Sequence, residues 1–238
     1  MNKIYFAIAL LGTSFILFSY NNNGTNNTKT ITNHIERNSA ADSGVKIGNQ
    51  IWTSFNLDVS KFRNGDEIFY AKSIEEWKKA GNEKKPAWCY FKDDPSTGDK
   101  FGKLYNWFAV NDARGLAPEG WHIPTNIECE DLMFALGGKE IAGKKLKSKT
   151  DWKSDGSNAN DNSSGFNAFP AGSRDMDGVS DGIEYNSSWW TANEEKDAEG
   201  LDANYFAVYF DADAASIYLK ERKSEGHSIR CVKNVKKQ

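Results

Sequence analysis

Five prolines and three cysteines in 238 residues exclude two classes at once. A proline-rich linker protein needs more of the first, and a disulfide-dense mini-scaffold more of the second. Charge of one sign is also lacking. Lys and Arg total 30, Asp and Glu 33, and the net charge is −3. A nucleic-acid binder carries a basic surplus, so no nucleic-acid partner is expected. Catalytic signatures are missing too: there is no Gly-x-Ser-x-Gly, no His-Glu-x-x-His and no phosphate-binding glycine loop. No catalytic residue is therefore assigned, and the chain is not expected to be an enzyme. Apolar residues make up only 39%, yet aromatics reach 13%, with eight tryptophans. A core can thus rest on few but large side chains, each burying about 150–250 Å².

Long apolar runs are absent except at the start, from Ile4 to Phe18, just after Lys3. A short positive segment followed by such a run is the pattern of an export signal. The run is short for a transmembrane helix, which needs about 20 residues. Residues 1–20 resemble a lipoprotein signal whose acceptor cysteine is replaced by Tyr20. A phenol cannot do the chemistry of that thiol, so lipidation is not expected. Any membrane association would run through this N-terminal segment alone. Residues 21–44 are Asn, Thr, Ser and charge, too polar to offset their ordering entropy, and read as a disordered stalk. Signal, stalk and compact domain together suggest an exported chain, at the cell surface or outer membrane, or secreted.

Apolar patterning runs from Val45 to Val232. Val45 to Leu57 reads as two short strands around Gly48-Asn49. Ser73 to Ala80 reads as a short helix with Ser73 as N-cap. Leu104, Trp107 and Phe108 have helical spacing. Thr125 and Glu128 form a capping box ahead of the stripe Cys129, Leu132, Met133 and Leu136, which Gly137-Gly138 ends. Lys139 to Ser164 reads as a polar loop with Trp152 tucked inward, its lysines solvated. Five runs then read as strands: Phe166–Ala171, Ser188–Ala192, Asn204–Phe210, Ser216–Glu221 and Ser228–Lys233. The third is apolar on both faces and so belongs inside a sheet. Short helices early and antiparallel strands in the C-terminal third indicate α+β, as one domain over residues 45–238.

Several segments carry a resemblance. Ile47-Gly48-Asn49-Gln50-Ile51-Trp52, Asn56-Leu57, Ala87-Trp88-Cys89-Tyr90, Gly102 to Trp107 and Gly115 to Pro118 come first. Gly120 to Thr125, Gly165-Phe166, Gly172-Ser173-Arg174, Trp189-Trp190 and Ser228 to Val232 follow. In this order they resemble the Fibrobacter succinogenes major paralogous domain, across nearly all of Val45 to Asn234. The resemblance implies an exported protein of the Bacteroidetes and Fibrobacter group with a C-type-lectin-like fold, shared with the formylglycine-generating enzymes. In that fold the terminal strands pair, which would bring Ile51–Leu57 to Ile229–Val232. The chain departs at Cys129, where relatives usually have Trp, and at His227, where they usually have an aromatic such as Phe. It also has only one cysteine near its C-terminal end, Cys231, where the formylglycine-generating chemistry needs two.

Candidate residues divide as follows. Cys89 and Cys231 can pair in an oxidising compartment, closing a long loop, or stay buried as free thiols. Cys129 reads as a small core residue. Asp175, Asp177 and Asp181 lie in a glycine loop that offers oxygen ligands for Ca²⁺, the one cofactor considered, or forms a solvated turn. His122, between a turn and a helix cap, reads as a structural hydrogen-bonding residue. Trp189 and Trp190 are adjacent, so in a strand they face opposite ways. One would then be exposed to stack on a sugar, or both rings are covered by loops. The leading expectation is a non-catalytic binding or adhesion module for a glycan or a surface protein. The alternative is a structural component of the cell envelope or a surface appendage. An unrecognised enzyme comes third.

Overall fold

A computed structural model describes residues 44–154, 160–195 and 199–234. The signal segment and nearly all of the stalk lie outside the described residues. Among the described residues, no helix is long and apolar enough to cross a membrane.

The architecture is α+β, with short helices and mostly antiparallel sheets. The first sheet has order β1-β2-β11, from Val45–Ile47, Gln50–Trp52 and Val232–Asn234. Gly48, at φ +59°, supports the left-handed turn between its first two strands. A second small sheet joins β3 (Phe69–Tyr70), β4 (Ala87–Cys89) and β5 (Leu104–Tyr105). The main sheet has five strands in order β10-β9-β8-β6-β7. These are β6 (Ala171–Arg174), β7 (Ser180–Ile183), β8 (Asn186–Glu194), β9 (Asp202–Tyr209) and β10 (Ala215–Arg222). β9 has a neighbour on each side, as its two apolar faces require.

Five helices decorate the sheets: α1 (Ile74–Asn82), α2 (Gly98–Phe101), α3 (Trp107–Val110), α4 (Asn126–Ala135) and α5 (Lys139–Leu146). α4 begins at the expected capping box of Thr125 and Glu128. Its stripe Cys129, Leu132, Met133 and Leu136 is buried as read. Glu128 also accepts from His122 Nε2 at 2.6 Å, which gives that histidine a fold-holding contact. Leu104 does not join a helix; it is in β5, and α3 starts only after Asn106, whose side chain caps it.

The expected polar loop after Gly138 is instead α5. Its Ala142, Gly143 and Leu146 are buried against the β9–β10 hairpin. A Cβ on Gly143 would lie 2.1 Å from the Ala214 carbonyl oxygen, so only glycine allows this approach. Nor is every lysine there solvated. Lys147 is fully buried, and its Nζ donates to the carbonyls of Tyr209 at 2.9 Å and Ala212 at 2.8 Å. Trp152 is half-buried and donates to the Ala168 carbonyl, in line with its expected inward position.

The pairing of Ile51–Leu57 with Ile229–Val232 is present. Leu57 N donates to Ile229 O, Thr53 N to Cys231 O, and Val232 pairs with Trp52. The same C-terminal segment reaches further. Gly226 exchanges hydrogen bonds with Arg174 of β6, and His227 with Tyr105 of β5. Ser228 bridges to Trp189 of β8. One run of seven residues, 226–232, thus stitches all three sheets together.

The core is aromatic, with seven of the eight tryptophans buried. One cluster gathers Trp88, Tyr105, Trp107, Trp121 and Trp190. A second packs Trp52, Phe166, Trp189 and Phe206 beneath α4 and α5. A third holds Trp77, Cys89 and Phe91.

Candidate functional site

For three sets of candidate residues the structure takes the plainer of the two readings open to the sequence: covered rings, a hairpin turn and free thiols. Trp189 and Trp190 do face opposite sides of β8, since they enter different core clusters. Neither is exposed, because both faces of the strand are covered. Trp189 Nε1 donates to Asn56 Oδ1 at 2.9 Å, and Trp190 Nε1 to the Tyr105 carbonyl at 2.8 Å. Both rings belong to the core and offer no sugar a surface.

Asp175, Asp177 and Asp181 do not form a calcium cage. The loop is the β6–β7 hairpin, and Asp175 Oδ1 accepts from Val179 N across its turn. Asp177 pairs with Lys78 at 2.8 Å, and Asp181 is a β7 residue opposite Ser173. Among the described residues, the three aspartates are not among the sets whose donor atoms converge.

Cys89 and Cys231 are free buried thiols in separate core clusters. Burial pushes both thiols up to about 12, so neither ionises at neutral pH. Cys129 is likewise free and buried, as read.

A different constellation stands on one face of the main sheet. Tyr205 and Tyr209, four residues apart on β9, share that face. Tyr218 of β10 pairs with Tyr205, and their rings stack at 5.0 Å. The Tyr205 hydroxyl is hydrogen-bonded to that of Tyr209. In undisturbed register Glu221 would point to the other side. The ladder slips by one residue between Tyr218 and Glu221, with Lys220 at φ +66°. Glu221 then pairs with Ala203 and shares the tyrosine face.

Glu225 and His227 complete the group. The carboxylates of Glu221 and Glu225 and a ring nitrogen of His227 lie within 4.8 Å of one another. The imidazole is locked in place. It stacks on Tyr205 at 4.7 Å, meets the edge of Trp190 at 4.4 Å, and bonds through Nδ1 to Ser188 Oγ at 2.6 Å. Nε2 is buried and has no hydrogen-bond partner. Neither carboxylate is paired with a lysine or arginine among the described residues.

The electrostatics follow from this crowding. Burial, the hydrogen bond with Glu221, and the charges of Glu221 and Asp175 push Glu225 up to about 9. Glu225 therefore keeps its proton at neutral pH. Burial alone pushes His227 down to about 3, so the imidazole is neutral. Such a set can hold a cation, the one arrangement here with that capacity among the described residues.

These shifts have opposite consequences for stability. His227 takes up a proton more readily when unfolded, so stability falls on acidification from about 6.5 towards 3. Glu225 keeps its proton in the fold but loses it at about 4.5 when unfolded. Its contribution is full below 4.5 and is lost as pH rises towards 9. Stability in chelator should therefore peak where the two slopes oppose each other, between about pH 4.5 and 6.5. Urea midpoints across pH 3–10 check this. His227→Phe should flatten the acid limb and leave the alkaline limb in place. A stability maximum above pH 8 would contradict the assignment.

Sequence reading missed this site. Its clearest signal was His227 itself, an imidazole where the resemblance led us to expect an aromatic. Glu221, Glu225 and His227 are spaced evenly enough for one strand face, but β10 ends at Arg222 and the chain turns before Glu225, so no single element carries them.

The sequence model of one protein family, described as the Fibrobacter succinogenes major domain, matches residues 45–233. No curated protein and no solved structure matches the chain.

Proposed function

The chain belongs to the Fibrobacter succinogenes major domain family, and we propose that it is an exported, non-catalytic binding module on a C-type-lectin-like fold. Its ligand face is the tyrosine and carboxylate face of β9 and β10, and its ligand a glycan. The observation that carries this reading is the pairing of half-exposed aromatic rings with unpaired acids. Tyr218 is exposed and Tyr209 half-buried, Tyr205 is stacked between Tyr218 and His227 beneath them, and Glu221 lies on the same face. A sugar offers an apolar C–H face and a rim of hydroxyls. Tyrosine rings suit the first and carboxylates the second.

Two further observations fit. The acids would repel phosphate, as expected of a module with no nucleic-acid partner. The donor atoms of Glu221 and Glu225 lie within 4.8 Å of each other. Paired catalytic carboxylates of glycosidases stand about 5–9.5 Å apart, to seat the sugar or a water between them.

A second reading, a structural role in the envelope or an appendage, draws on α4. Ile127 and Phe134 lie seven residues apart on that helix, and both are exposed, Phe134 by 84%. The purified full-length protein on a glycan array separates the two. Binding that Tyr218→Ala weakens at least tenfold, with the fold intact, supports the glycan reading. A folded protein that retains no glycan refutes it and leaves the α4 face as the surface to test.

A further inference from the structure

We propose that Glu221, Glu225 and His227 form a binding site for a divalent transition-metal ion of the zinc class. The ligands would be one oxygen from each carboxylate and Nε2 of the imidazole. This goes beyond the glycan reading and does not depend on it.

The histidine supplies the decisive observation. An imidazole nitrogen that is buried and unbonded has lost its water and gained nothing in exchange unless something occupies it. His227 is only 3% exposed, its Nε2 has no partner, and a ring nitrogen of this side chain lies within 4.8 Å of both carboxylates. Its other nitrogen is committed to Ser188 Oγ at 2.6 Å. With Nδ1–H donated to that hydroxyl, the lone pair on Nε2 is free to bind a metal. A hydrogen-bonded far nitrogen is the usual support of a metal-bound histidine. Stacking on Tyr205 and the edge contact with Trp190 hold the ring in plane.

The carboxylates fit the same reading. Two carboxylates and a ring nitrogen gathered in one place offer a divalent ion three donor atoms at once. The donor atoms already lie within 4.8 Å of one another. Tetrahedral zinc, with bonds of about 2.0–2.2 Å, needs them roughly 3.4 Å apart. Rotation of the two glutamate side chains is enough to close that gap, because Glu225 follows β10 and Glu221 lies at its end. The imidazole decides the metal class, since calcium and magnesium select oxygen sets. Three protein ligands leave one position open to water or a ligand atom.

The test is Zn²⁺ titration of the chelator-stripped full-length protein, by calorimetry and by metal analysis after dialysis. One ion per chain is expected. Co²⁺ in its place should give the visible absorption of a tetrahedral site. Glu225→Gln imitates the protonated acid and should keep the fold, yet weaken Zn²⁺ binding at least tenfold. Glu221→Gln should do the same. Ser188→Ala should weaken it about 10–100-fold through the orientation of the ring. His34→Ala and His122→Ala should leave the affinity unchanged. Wild-type protein that retains no Zn²⁺ overturns the proposal. So does Zn²⁺ binding that survives both glutamate substitutions in folded protein, since the ion would then be held elsewhere.

Discussion

Arg230→Met is expected to lower stability by about 3–5 kcal/mol, out of a total of about 5–15 for a domain. Arg230 is fully buried, and no carboxylate pairs with it among the described residues. Burial pushes its pKa down to about 9, still well above neutral, so the guanidinium keeps its charge. Four acceptors hold that charge. Nε donates to Asn56 Oδ1, Nη1 to the carbonyls of Thr53 and Phe166, and Nη2 to the carbonyl of Asn167. The Phe166 ring stacks at 4.6 Å. Methionine fills a similar volume but takes the donor away from the carbonyls of Thr53, Phe166 and Asn167, leaving Asn56 Oδ1 to Trp189 alone. Lysine should not rescue, because one ammonium cannot span acceptors on two separate segments. Urea unfolding at pH 7 gives the number. A loss under about 1 kcal/mol would show that the carbonyls find other partners.

Trp189→Ala is expected to be of the same size, about 3–5 kcal/mol, from the cavity left among Trp52, Phe166 and Phe206. Trp189 and Arg230 also share Asn56 Oδ1 as acceptor. The double variant should therefore be non-additive, with a coupling of about 0.5–3 kcal/mol. Additivity within about 0.3 kcal/mol would mean that Asn56 does not link them. Any glycan bound by the folded fraction of Trp189→Ala should be bound as by wild type, since the ring has no exposed face.

Local patterns were legible where one segment settles its own structure. The Gly48-Asn49 turn, the capping box at Thr125 and the stripe on α4 needed no distant partner. β7 was hidden because Ser180, Asp181 and Gly182 carry no strand signal; it exists because β6 offers an edge. α5 was hidden by its lysines, and only the hairpin it packs against makes it a helix. The covering of Trp189 and Trp190 depends on residues more than eighty positions away, such as Tyr105 and Asn56. The site was illegible for a sharper reason. A one-residue slip at Lys220 decides which face Glu221 takes, and strand alternation read from the sequence gives the opposite answer.

The segment 226–232 also sets when this protein can come into being. Leu57 waits for Ile229, Tyr105 for His227 and Arg174 for Gly226. Until this segment docks, the first sheet lacks an edge strand and the other two lack the backbone bonds it makes to each. Contacts this distant in sequence are slow to form. The closing of the fold is therefore expected to wait on the docking of one short segment rather than on the forming of any single sheet.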